Sequence, residues 1–301
     1  MPSPSFQGII PPVPTIVDDT GALDRPGMGR LLDHLIAAGV DGVLILGSGG
    51  EFCHMPASLR REVAAFCIGH VAGRTKVLVG IGAPGTLETV EFGRHAQDAG
   101  ADAVLVINPY YAHLSEANLF LHYQQVARAL DLPVLLYNFP ALTGQDVGPE
   151  LALRLTRACD NIVGIKDTID VVAHTRRLIL EVKGHRPDFA VIAGYDEHLL
   201  NTLALGGDGG IPATANFAPQ LACGLYRAFR DGDFPTAFAA HRAIAALAPI
   251  YEIETPFFAV IKEAIRRTGL DISGAVLPPA RPLTPELAAR VGEVLKAAGI
   301  A

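Results

Sequence analysis

The chain has no tryptophan, only three methionines, only four cysteines and only five lysines among its 24 basic residues. Each scarcity narrows the field. The cysteines (Cys53, Cys67, Cys159 and Cys223) lie far apart with no C-x-x-C, which argues against a zinc cluster and against the disulfide framework of a secreted miniprotein. Reduced thiols in a cytosolic protein fit better. Nowhere do about 18 apolar residues run uninterrupted, so no membrane span is expected. The opening "MPSPSFQGIIPPVP" lacks the basic segment and apolar run of a signal peptide. No long block of one charge occurs. The net charge of −7 argues against nucleic acid or an anionic membrane as the main partner. The ten histidines form no H-x-H or H-E-x-x-H, and no acidic loop has metal-binding spacing. No G-x-S-x-G elbow stands out, Ser48 lying in "LGSGG".

What is present is rhythm. Half of the 301 residues are hydrophobic, enough for a large core. Short apolar runs begin at Gly8, Gly42, Lys76, Ala103, Pro133, Ile162 and Phe189, with a weaker one at Asp208. Amphipathic stretches separate them, several closing on glycine (Gly39, Gly73, Gly100), a common helix C-terminal signal. Runs apolar throughout belong to strands covered on both faces, hence to a parallel sheet. Eight such strand–helix units in about 230 residues predict a (β/α)₈ barrel, with a doubly wound open sheet as the alternative. After Ala215 only helical patterns remain. The expected division is a barrel over 1–230 and a C-terminal helical extension over 231–301.

In a barrel, side chains at the C-terminal ends of the strands meet at one mouth. Polar residues fall there repeatedly: "LGSGGE" after the second strand, "NPYY" after the fourth, "YNFP" at the fifth, Lys166 at the sixth and "GYDEH" after the seventh. Lys166 closes the apolar "NIVGIK". Burial disfavours the charged form of a lysine, and a neutral amine can attack a ketone to form a Schiff base. The competing reading is a structural lysine, snorkelling or paired with Asp167 or Asp170. Tyr137, on the neighbouring strand, could shuttle protons for such an imine, or could be a core tyrosine. "GSGGE" offers the Ser48 hydroxyl and successive backbone N–H groups, a nest for a carboxylate or phosphate, or simply a tight turn. "GIGAPG" (Gly80 to Gly85) is a literal G-x-G-x-x-G. It follows the third strand, contains Pro84 and lacks the downstream acid, so a plain glycine loop is the better reading than a nicotinamide site. Lys262, in "AVIKEAI", reads as an amphipathic helix lysine beside Glu263.

Together, "GSGGE", "NPYY", "YNFPALTG", "GIKDT" and "GYDEH…GGDGG" in this order resemble the dihydrodipicolinate synthase/N-acetylneuraminate lyase family of class I aldolases along essentially the whole chain. Within it, "YNFPALTGQD" and "NIVGIKDTID" are most similar to bacterial 2-keto-3-deoxygluconate aldolases. The resemblance implies a (β/α)₈ barrel with C-terminal helices, a tetramer, and neither metal nor organic cofactor. It implies a covalent imine between pyruvate and Lys166, with Tyr137 as proton shuttle. Ser48 would link Tyr137 towards Tyr111, which in the family reaches into the neighbouring subunit's site. The Ser48–Gly49 backbone would hold the pyruvate carboxylate, with Gly50 also in the substrate-binding turn. Thr168, Gly194, Asp196 and Glu197 match positions at the sugar hydroxyls of sialic acid lyases.

Three departures matter. Gly49 replaces a residue with a hydroxyl. Leu142 stands where the synthases carry an arginine for the second substrate's carboxylate, which an aliphatic side chain cannot grip. Ala213 replaces a serine of the sialic acid lyases. The expected function is therefore reversible cleavage of a 2-keto-3-deoxy sugar acid, foremost 2-keto-3-deoxygluconate, to pyruvate and glyceraldehyde. A dehydratase or hydratase–aldolase using the same imine is the alternative, and dihydrodipicolinate synthase is disfavoured by Leu142.

Overall fold

The computed structural model describes residues 6–300. Eight strands alternate with helices: β1 (Gly8–Ile9), β2 (Gly42–Ile45), β3 (Lys76–Gly80), β4 (Ala103–Ile107), β5 (Val134–Asn138), β6 (Ile162–Asp167), β7 (Ala190–Ala193) and β8 (Gly209–Gly210). The intervening helices are α1 (Arg25–Ala37), α2 (Ala57–Val71), α3 (Thr86–Ala99), α4 (Glu116–Arg128), α5 (Pro140–Thr143), α6 (Pro149–Ala158), α7 (Val172–Arg177) and α8 (Leu199–Ala204). Four more follow the last strand: α9 (Pro219–Asp231), α10 (Phe234–Leu247), α11 (Phe258–Arg267) and α12 (Pro285–Ala297). One sheet runs in the order β1-β8-β7-β6-β5-β4-β3-β2. The fold is a (β/α)₈ barrel with a C-terminal helical extension, as the apolar rhythm predicts.

Two compact units divide the chain. The first holds residues 6–8 and 78–211. Here each strand from β3 to β8 pairs in parallel with the next, and every residue of β4 and β5 is buried. The helices around them begin and end on local chemistry. Ser115 caps α4 by accepting the Asn118 N–H, and Gly100 ends α3 at φ +91°, a conformation costly for any residue with a Cβ.

One irregularity sets the site. The β5–β6 register runs Val134 to Ile162 and then Leu135 to Gly164, passing over Val163. A one-residue slip exchanges the faces of every later residue. Beyond it Tyr137 stands opposite Lys166, and Asn138 opposite Asp167. Gly164 follows the bulge, and a Cβ there would meet the Ala190 carbonyl oxygen at 2.8 Å, so β7 can lie close only against glycine.

The second unit holds residues 9–77 and 212–300. Its "IIPPVP" segment pairs with β2 through a parallel bridge between Pro12 and Leu44, and the Leu44 N–H donates to the Pro11 carbonyl. Prolines 11, 12 and 14 have no N–H, which keeps the regular part of β1 to two residues. No helix among the described residues is long and apolar enough to cross a membrane.

Candidate active site

The C-terminal ends of β5 and β6 carry the centre of the site. Lys166 is only 4% exposed, yet its Nζ has no carboxylate partner among the described residues. It donates to the Tyr137 hydroxyl at 3.3 Å and lies 4.3 Å from the centroid of the same ring. The phenol thus offers both an acceptor and a π face to the amine. The acids in sequence beside the lysine are engaged elsewhere. Asp167 binds His174 and Thr175, and Asp170 binds His198 Nε2 at 3.0 Å. The structural ion-pair reading of Lys166 is therefore not realised.

Rings flank the pair. Tyr137 and Phe139 lie 6.0 Å apart, Phe139 and Tyr195 meet edge-on at 6.0 Å, and Tyr195 approaches His198 at 5.7 Å. Burial, followed by the nearby charges of Asp170 and Glu197, pushes the Tyr195 phenol up. Thr168 is buried and its Oγ1 has no hydrogen-bond partner among the described residues, an open polar position beside the lysine strand. Gly194 accommodates it, because a Cβ at Gly194 would fall 1.8 Å from that oxygen. The Gly194 N–H in turn donates to the Asp167 carbonyl at 2.8 Å. Asp196 is buried at the head of a single turn with the half-buried Glu197 next to it.

Other expected site residues lie further out or in the second unit. Tyr111 is wholly exposed at φ +80°, an uncommon conformation for a bulky side chain. Leu142 is exposed on α5. Ser48, Gly49 and Gly50 form one 3₁₀ turn directly after β2, and Ser48 is buried. The Thr15 hydroxyl donates to the Gly50 carbonyl at 2.8 Å, and a Cβ on Gly50 would press on the Val13 carbonyl at 3.2 Å. Ala213 opens another 3₁₀ turn, held by Asn216 Nδ2 donating to the Ala213 and Pro12 carbonyls.

Two sequence readings change in detail. Lys262 lies on helix α11 next to Glu263, as the sequence suggests, but Glu263 is not its partner. It is fully buried and ion-paired with Glu51, while Glu263 binds Arg266 and Arg267. In "GIGAPG", a Cβ on Gly82 would come 2.3 Å from Ile107, so close packing on β4 accounts for that glycine. Sequence reasoning also passed over Asn138, Asp146 and His174, which surround Asp167. The strand alternation offered a signal, since Lys166 facing inward sends Asp167 to the opposite face, where a buried carboxylate needs partners.

No group of three or more potential metal ligands occurs among the described residues. What the centre holds is a buried amine touching a phenol, the combination needed for nucleophilic attack with local proton transfer.

Comparison with known proteins identifies the family. The profile described as the dihydrodipicolinate synthetase family matches residues 5–298. A relative from Escherichia coli K12, named "Putative 2-dehydro-3-deoxy-D-gluconate aldolase YagE", is 54% identical over 278 residues, 92% of each chain. A second from the same organism, "Probable 2-dehydro-3-deoxy-D-pentonate aldolase YjhH", is 48% identical and aligns over 98% of each. The crystal structure of YagE in complex with pyruvate superposes with a TM-score of 0.97, covering 99% of this chain and 100% of that one at 51% identity.

Proposed function

The chain belongs to the dihydrodipicolinate synthetase family and is a carbon–carbon lyase, and from that premise we propose a class I aldolase acting on a short 2-keto-3-deoxy sugar acid. The observation that carries the proposal is the buried Lys166 amine held against Tyr137 with no carboxylate to bind it. The Lys166 amine attacks the C2 carbonyl, and Tyr137 relays the protons by which the carbinolamine loses water. The C4 hydroxyl gives up its proton to the Tyr137 oxygen, the C3–C4 bond breaks, and its electrons pass into the iminium to leave an enamine. The aldehyde departs. Protonation of the enamine at C3 and hydrolysis release pyruvate and restore the amine. Cleaving the hexonate gives glyceraldehyde, and cleaving a pentonate gives glycolaldehyde.

The remaining assignments belong to this proposal. Ser48 extends the proton relay towards Tyr111 of a neighbouring subunit, which accords with the full exposure of Tyr111 in a single chain. The Ser48–Gly49 backbone receives the substrate carboxylate with Gly50 beside it, and Thr168, Asp196 and Glu197 meet the sugar hydroxyls with Gly194 lining the same place. The unpartnered Thr168 hydroxyl supports that placement. Leu142 and Ala213 line the tail without offering a charge. The assembly is a cytoplasmic homotetramer without metal, residues 1–230 forming the catalytic barrel and 231–301 its extension. A screen of 2-keto-3-deoxy hexonates and pentonates for pyruvate release tests the reading. Release from at least one is expected. A product that keeps the full carbon chain would instead identify a dehydratase.

A further inference from the structure

Behind the Lys166–Tyr137 pair lies a second buried cluster that the aldolase chemistry itself does not call for. Asp167 follows Lys166 and faces the other way. Its side chain is wholly buried, and both oxygens are occupied. Oδ1 accepts from Asn138 Nδ2 at 3.0 Å, and Oδ2 accepts from His174 Nδ1 at 3.0 Å and from the Thr175 hydroxyl at 2.8 Å. His174 Nε2 lies 3.3 Å from Asp146 Oδ1, which also accepts from Asn138 Nδ2 at 2.8 Å. Asn138 Oδ1 accepts the Val147 N–H at 2.9 Å. The contacts close a ring: Asp167, His174, Asp146, Asn138 and back to Asp167. Asn138 follows Tyr137 in the chain just as Asp167 follows Lys166, so the ring grips both strand ends one residue beyond the reacting groups.

We propose that this ring, with His174 as its cation, is a positioning device for the lyase reaction, holding the ends of β5 and β6 so that Lys166 Nζ and the Tyr137 hydroxyl stay within reach. The geometry favours the imidazolium, because His174 Nδ1 bonds Asp167 while Nε2 faces the Asp146 carboxylate within ion-pair distance. A neutral ring with its proton on Nδ1 would turn the Nε2 lone pair towards the Asp146 carboxylate, whereas the doubly protonated ring presents an N–H and a positive charge to it. The charged groups facing His174 among the described residues are Asp167 from β6 and Asp146 from the loop before α6, with neutral Asn138 from β5 and Thr175 from its own helix. Burial opposes the charge, but the accepting carboxylates of Asp146 and Asp167 and their negative charge outweigh it and raise His174 to about 9. The ring is thus charged at neutral pH and loses its cation as pH rises through that value.

The inference rests on the imine chemistry of Lys166, and the test separates the two. The rate at which borohydride traps pyruvate on Lys166, and kcat for pyruvate release, are measured from pH 6 to pH 10 in the wild type, His174→Gln and Asp146→Asn. In His174→Gln, trapping rate and kcat are expected to fall about 10- to 100-fold together, with KM nearly unchanged. The alkaline loss that His174 causes should also vanish. In Asp146→Asn, a nearly isosteric change at a half-exposed side chain, the alkaline loss should move to lower pH, since one of the two carboxylates holding the proton is gone. Wild-type rates and an unshifted profile in Asp146→Asn overturn the positioning role, whether or not His174→Gln folds. Failure of the wild type to trap pyruvate at all overturns the aldolase reading instead.

Discussion

Two of the five lysines are buried, and they teach opposite lessons. Lys262, on α11, is wholly enclosed in the second unit, yet its ammonium has two strong acceptors: it pairs with Glu51 and donates to the Ala275 carbonyl at 2.6 Å. Glu51 uses its other oxygen to accept the Leu277 N–H at 2.8 Å. Burial pulls the Lys262 ammonium below its ordinary range, and Glu51 pulls it back. The pair pins the segment at 275–277 and α11 to the turn that follows β2. Lys166 is buried nearly as deeply, but its neighbour is a phenol and the adjacent acids are turned away. Burial is therefore common to both lysines, and what separates them is that Lys166 has no carboxylate partner among the described residues.

The contrast can be broken most sharply at the lysines themselves. Lys166→Ala should lower pyruvate release by about 10⁵-fold or more, since the whole covalent route is lost, while the urea midpoint stays the same or rises. Retained turnover in that variant would end the account. Tyr137→Phe keeps the ring but not the hydroxyl, and steady-state kinetics should show kcat lower by about 10²- to 10⁴-fold. Lys262→Ala should behave in reverse. It leaves Glu51 as an uncompensated buried charge and costs about 3–5 kcal/mol in urea unfolding, a large part of the roughly 5–15 kcal/mol that holds a typical domain folded. Glu51→Gln combined with Lys262→Met should recover much of that loss, because no charge is then left alone.

Smaller effects follow from the electrostatics around Asp167. A histidine whose folded-state pKa is raised, here from 6.5 to about 9, adds stability that is complete below 6.5 and is lost as pH rises through 9. The wild-type melting temperature should therefore decline between those limits more than that of His174→Gln. The smallest change is expected for Leu142→Arg. Leu142 is 58% exposed, so thermal stability should move by no more than about 0.5 kcal/mol. Borohydride trapping of pyruvate should be unaffected, while condensation with a carboxylate-bearing aldehyde such as succinic semialdehyde should improve.

How much of this could be read from sequence depends on the range of the interaction. The eight strands were legible because residues covered on both faces must be apolar throughout, a local signature. Lys166 and Tyr137 were legible as polar residues interrupting that signature at strand ends. Their mutual register was not, because it depends on Val163 being passed over in the pairing with β5, a slip with no distinctive residue of its own. Lys262 was misplaced for a related reason. Its helical neighbours predict an i, i+1 environment with Glu263, whereas its partner Glu51 lies more than two hundred residues away in sequence. The ring around Asp167 likewise draws one residue each from two strands, a loop and a helix, and periodicity cannot see it.

The most direct test of the central claim sets the two buried lysines against each other in one experiment. The wild-type protein is reduced with borohydride in the presence of pyruvate, digested, and its peptides are mapped by mass. The account predicts a reduced pyruvate adduct on Lys166, an unmodified Lys262, and loss of activity in step with adduct formation. An adduct on Lys262 or another lysine, or full activity after exhaustive reduction with pyruvate, would contradict it.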